Sequence, residues 1–118
     1  MLRNAWYYAL PAHALARRKT LHKTLLGEPV LIGRDADGKV FALRDTCPHR
    51  GTLLSRGAFD GREVECPYHG WRFATDGRCT AIPSQAAHQR PQAADIRTTT
   101  YPARESQGNI WVYMGNAA

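Results

Sequence analysis

Four residues in this chain have the types and spacing of a metal site. Cys47 and His49 stand in Cys47-Pro48-His49-Arg50-Gly51, and Cys66 and His69 in Cys66-Pro67-Tyr68-His69-Gly70-Trp71. Each half offers one thiol and one imidazole, with sixteen residues between His49 and Cys66. Two such halves can hold a centre with one all-sulfur end and one all-nitrogen end. A 2Fe–2S cluster in which two histidines replace two cysteines on one iron has this composition. Neutral imidazole donates less charge than thiolate, so the imidazole-bound iron is the easier to reduce and the potential rises relative to an all-cysteine cluster. Structural zinc is the competing chemistry. Common Cys2His2 zinc sites group the thiols first and the imidazoles second, whereas here the two types alternate. The plainest alternative is that Cys47 and Cys66 are simply buried side chains without a ligand.

The flanking residues suit a cluster. Pro48 and Pro67 stiffen the loops and remove backbone donors. Gly51 and Gly70 permit tight turns in which backbone N–H groups point at sulfur. Such hydrogen bonds favour the reduced, more negative cluster. Trp71 is expected to shield one side from water. Cys79 stands outside any pairing pattern and reads as a small buried side chain. His13, His22 and His88 have no partner at ligand spacing and read as surface side chains.

Short β-prone segments separated by turn residues surround these halves. Asn4 to Leu10 is aromatic and strand-like and is expected to end at Pro11. Ala12 to Arg18 has room for one or two helical turns. Lys23–Leu26 and Val30–Gly33 flank an expected turn at Gly27-Glu28-Pro29. Asp35-Ala36-Asp37-Gly38 reads as a hairpin turn into Val40–Leu43. Leu53 and Leu54 are expected to pack beneath the site. Asp60-Gly61 turns the chain into Glu63-Val64-Glu65, which delivers Cys66. Trp71 and Phe73 alternate on the exit strand, and Asp76-Gly77 turns into Cys79–Ile82. Ser84 to Ala94 reads as a surface loop. Arg97–Tyr101 and Ile110–Met114 read as a terminal hairpin. Strands and turns at this spacing predict an all-β antiparallel sandwich or barrel. The two halves then sit at the tips of neighbouring hairpins, in a subdomain of about 45–84.

The 118 residues predict one domain, 1–118. Three cysteines, an odd count, argue against a secreted disulfide framework. No apolar run reaches the roughly 18 residues of a membrane helix, and the N-terminus lacks a signal-peptide pattern. A cytoplasmic protein without membrane attachment is expected. The net charge of +6 comes from 16 basic and 10 acidic residues. The arginines are spread along the chain without an aromatic-interleaved basic stripe, which argues against nucleic acid. A solvated basic surface, or docking of an acidic redox partner, fits better.

The paired motifs resemble the Rieske motif of ring-hydroxylating and related Rieske non-haem iron oxygenases. Asn4-Ala5-Trp6-Tyr7-Tyr8 resembles the opening of the vanillate-demethylase-like and phenylpropionate-dioxygenase-like branches. Tyr101-Pro102-Ala103-Arg104-Glu105 and Ile110-Trp111-Val112-Tyr113 resemble the strands that close the domain there. The resemblance implies the Rieske fold of antiparallel sheets and a Rieske-type 2Fe–2S cluster, with Cys47, His49, Cys66 and His69 as its ligands. It implies electron transfer from a reductase or ferredoxin to a mononuclear iron in an oxygenase catalytic domain of the same or a neighbouring chain. Rieske proteins of respiratory complexes carry an extra cysteine in each loop, joined as a disulfide. Thr52 and Tyr68 lie near those places here, which implies a low-potential, oxygenase-type cluster. No residues for the mononuclear iron site are found, so this chain by itself is expected to transfer electrons rather than to activate oxygen. The alternative is a free-standing Rieske-type ferredoxin or small redox subunit, a carrier and not an enzyme.

Overall fold

The computed structural model describes residues 2–48, 51–67, 70–83 and 93–115. Two unbroken apolar runs, Val30-Leu31-Ile32 and Val40-Phe41-Ala42-Leu43, set the architecture. Side chains along a strand point alternately to opposite faces, so an uninterrupted run needs cover on both. These runs lie in β3 (Glu28–Arg34) and β4 (Val40–Arg44), and both faces are covered. Val30, Ile32, Val40 and Ala42 enter one hydrophobic core. Leu31, Phe41 and Leu43 enter a second.

β3 and β4 form the middle of a four-stranded antiparallel sheet, edged by β2 (Lys19–Leu25) and β9 (Thr100–Tyr101). The first core lies between this sheet and a three-stranded one of order β1-β11-β10. Its strands are β1 (Ala5–Pro11), β10 (Ala103–Ser106) and β11 (Asn109–Met114). Ile110, Val112 and Met114 alternate inward from β11. Trp6, Tyr8, Trp111 and Tyr113 pair edge-to-face on the outer side, with Arg104 stacked over Trp6 at 4.7 Å. The second core lies between the middle sheet and a third sheet, β5-β6-β7-β8. Its strands are β5 (Ala58–Phe59), β6 (Glu63–Glu65), β7 (Arg72–Ala74) and β8 (Cys79–Ala81). The architecture is therefore all-β and antiparallel, as expected, and comprises three sheets. Among the described residues no helix is long and apolar enough to cross a membrane.

Several local expectations are corrected. β2 begins at Lys19, not Lys23, and the β2–β3 turn is Leu26-Gly27, both with positive φ (51° and 77°). That two-residue geometry matches the twist of a hairpin. Pro29 lies inside β3, opposite Thr24, because β4 joins β3 only from Val30 onward and asks no N–H of Pro29. Pro11 is the last residue of β1, opposite Asn109, rather than a stop before it. The helical stretch at 12–18 reduces to one 3-10 turn, Ala12–Ala14. Arg97–Tyr101 does not pair with Ile110–Met114. Tyr101 pairs with Ala42 in the middle sheet, and Ala103–Ser106 forms the terminal hairpin. Pro102 stands between them, and having no N–H it cannot continue the β9 ladder. Of the expected surface loop, residues 84–92 lie outside the described residues, and Ala93–Asp95 is a 3-10 turn.

Candidate iron–sulfur site

The second core carries the site. Cys47 leaves the end of β4, and Cys66 leaves the end of β6. Both side chains are buried, at 0% and 1% exposure, and both belong to the second core with Leu54, Val64, Trp71 and Phe73. None of the three cysteines forms a disulfide.

The two loops are built alike. The Cys47 N–H donates to the Thr52 carbonyl at 2.8 Å, and the Cys66 N–H donates to the Trp71 carbonyl at 2.7 Å. Each bond closes the loop five residues after its cysteine. Gly51 and Gly70, each four residues after its cysteine, have φ of 70° and 69°. Only glycine adopts that conformation without steric cost, which explains a glycine at the same step of both motifs. Pro48, Gly51 and Pro67 are exposed while the thiols point inward. Each loop thus buries one sulfur donor while its described prolines, Pro48 and Pro67, stay exposed. His49, Arg50, Tyr68 and His69 lie outside the described residues. The second loop is the tip of the β6–β7 hairpin. The first carries the chain from β4 in the middle sheet to β5 in the third.

Both loops are tied down from several sides. The Thr98 hydroxyl donates to the carbonyls of Arg44 (3.3 Å) and Thr46 (3.4 Å), on the approach to Cys47. Around the second loop, the Arg72 guanidinium donates to Glu63 (2.9 Å), Glu65 (2.7 Å) and Asp60 (2.8 Å). The Thr80 hydroxyl and then Arg72 hold the Glu63 carboxyl below the usual range, and Glu63 in turn raises the Arg72 guanidinium. Val64, between the two glutamates, points the other way into the core. The Glu63-Val64-Glu65 alternation therefore builds a charged outer clamp and an apolar floor at once. Leu54 is buried beneath the site as expected, whereas Leu53 is only partly buried.

Cys79 sits in the same core at 5% exposure, and its thiol bonds the Ala81 carbonyl at 3.6 Å. Burial pushes its pKa up, so it stays a protonated thiol. It is a packing residue, as its sequence context predicts.

One group escaped the sequence reading. Asp45, two residues before Cys47, is fully buried, and its carboxylate meets His22 and Ser55. His22 is thus more than the surface side chain expected, because Nδ1 lies 2.6 Å from Asp45 Oδ2. The only sequence signal was an acidic residue directly after the strand Val40–Arg44.

The donor set and its setting fit a 2Fe–2S cluster: two buried thiols, presented by twin loops within one apolar core. A family profile described as "Rieske [2Fe-2S] domain" matches residues 5–102. The chain belongs to the Rieske [2Fe–2S] domain family. It is 41% identical over 113 residues to Oxidoreductase NdmD of Pseudomonas putida, covering 95% of this chain and 19% of that protein. The terminal oxygenase of carbazole 1,9a-dioxygenase from Nocardioides aromaticivorans IC177 superposes with TM-score 0.87 at 34% identity, over 98% of this chain and 32% of that one. A reduced complex between oxygenase and ferredoxin in carbazole 1,9a-dioxygenase matches with TM-score 0.81 at 29% identity, over 98% and 30%. The chain spans about a fifth to a third of the length of the curated relatives it matches. The Rieske domain adopts the Rieske fold, carries a Rieske-type 2Fe–2S cluster and serves electron transfer.

Proposed function

We propose that this chain is the N-terminal Rieske domain of an aromatic-ring-hydroxylating oxygenase. It relays electrons from a reductase or ferredoxin to a mononuclear iron in an oxygenase catalytic domain that these residues do not contain. In this reading Cys47 and Cys66 bind one iron, and His49 and His69 bind the other. A cluster so held supplies one-electron transfer at a potential above that of an all-thiolate cluster. The observation that carries the proposal is the pair of matched loops, each closed by its cysteine N–H and each burying its thiol in one core. Leu54, Trp71 and Phe73 keep water from the thiolate end. The cluster-binding subdomain is about 45–84 within a single 1–118 domain, and the setting is cytoplasmic.

A second reading has one observation in its favour. A relative 41% identical is named an oxidoreductase, not an oxygenase. The chain is then a carrier, a Rieske-type ferredoxin or small redox subunit. Iron analysis of the protein from its native source separates the two. The oxygenase reading predicts about three irons per native oxygenase unit, the carrier reading about two per carrier, each with about two labile sulfides.

The ligand assignment has its own test. His69→Cys replaces a neutral donor with an anionic one, so the loaded variant should have a lower reduction potential and an altered electron paramagnetic resonance spectrum. A loaded variant with unchanged potential and spectrum removes His69 from the ligand set.

A further inference from the structure

Asp45 is the one acidic side chain buried in the described structure. It lies two residues before Cys47, and its carboxylate is met only by donors. His22 Nδ1 donates to Oδ2 at 2.6 Å, the Ser55 hydroxyl donates to the same oxygen at 2.5 Å, and the Ser55 N–H donates to Oδ1 at 2.7 Å. Its own N–H donates to the Pro29 carbonyl at 2.9 Å. The donors come from β2 and from the 3-10 turn Leu54–Arg56, so one carboxylate joins both elements to the end of β4. His22 keeps 37% of its side chain exposed while Asp45 keeps none.

A buried charge costs desolvation energy, and a well-packed apolar residue would hold the same elements together at no such cost. What the apolar residue would lack is a fixed negative charge beside the segment that presents Cys47. That charge opposes the addition of another negative charge nearby, which is what reduction of a cluster adds. The donors on Asp45 offset it in part.

We propose that Asp45 is a positioning residue that fixes the Cys47 segment and sets the reduction potential of the cluster through its charge, with His22 and Ser55 tuning that charge. The proposal rests on Cys47 being a cluster ligand. All comparisons are made at one pH.

The test is the reduction potential of the full chain, parent and variants, each first checked for iron and sulfide content. Asp45→Asn removes the charge at nearly constant shape and should raise the potential. His22→Ala and Ser55→Ala remove donors and leave the charge less offset, so both should lower it. The expected shift for Asp45→Asn is about tenfold in the ratio of reduced to oxidised protein at fixed ambient potential, which is about 59 mV for a one-electron couple. A purely structural clamp would move the three variants in the same direction or not at all, and either result in loaded protein overturns the proposal. If Asp45→Asn fails to fold or load, the other two decide: lowered potentials support the proposal and unchanged ones overturn it. Absence of a cluster from the parent chain overturns the ligand assignment and this inference with it, whereas unmoved potentials in loaded variants overturn only the inference.

Discussion

Cys66→Ser should lose essentially all bound iron, while Cys79→Ser should keep it. Both side chains are buried in the same core, at 1% and 5% exposure, so burial does not separate them. Loop construction does. Cys66 opens a loop closed by its own N–H on Trp71, with Gly70 at positive φ before the closure. Cys79 lies within β8, opposite Phe73, and its thiol bonds the Ala81 carbonyl. A serine hydroxyl is a far poorer iron ligand than a thiolate, because at neutral pH it keeps its proton. Ligand binding and folding share one free energy in small metal-binding domains, so Cys66→Ser should also melt well below the parent protein. Cys79→Ser exchanges a weakly bonded thiol for a hydroxyl in the same place and should cost about 1–2 kcal/mol. Iron and sulfide analysis of the two variants, beside their melting curves, reads both outcomes. Loss of iron in Cys79→Ser with retention in Cys66→Ser would reverse the assignment of the cysteines.

Phe73→Ala should destabilise the domain by about 3–5 kcal/mol, the range for deleting a buried aromatic ring. Phe73 is fully buried, and it faces Val64 on β6 and Cys79 on β8 in the register of the third sheet. Its ring is part of the apolar mass shared by Cys47, Cys66, Leu54 and Trp71. For a domain of this size, each kcal/mol corresponds to about 4 °C in melting temperature, so a fall of more than 10 °C is expected. Iron retention should fall as well, because the cavity opens in the core that holds both thiols. Leu21→Ala on β2, partly buried against the other core, should leave iron content at the parent level. A Phe73→Ala protein melting within about 3 °C of the parent would show that the second core does not support the site.

Much of this arrangement was legible in the chain. The unbroken runs at 30–32 and 40–43 mark strands covered on both faces, and that cover is what the two cores provide. The Glu63-Val64-Glu65 alternation, the turns at Asp37-Gly38 and Asp60-Gly61 and the twin Cys-Pro halves each carry their own local signature. What stayed hidden depends on contacts between distant segments. Tyr101 and Ala103 belong to different sheets because the ladder breaks at Pro102, and neither flank has enough apolar periodicity to reveal its partner. The Asp45–His22 contact joins residues 23 apart in sequence and forms only when β2 pairs with β3. Nothing local to His22 distinguishes it from His13.

In the proposed cluster one iron is held by two cysteines and the other by two histidines. Pulsed electron paramagnetic resonance on the reduced protein, prepared with nitrogen-15 histidine, tests it most directly. Couplings from two histidine nitrogens on the paramagnetic centre are expected in the parent chain, and from one in His69→Cys. A reduced cluster without histidine nitrogen coupling, or zinc in place of iron in protein grown with ample iron, would contradict it.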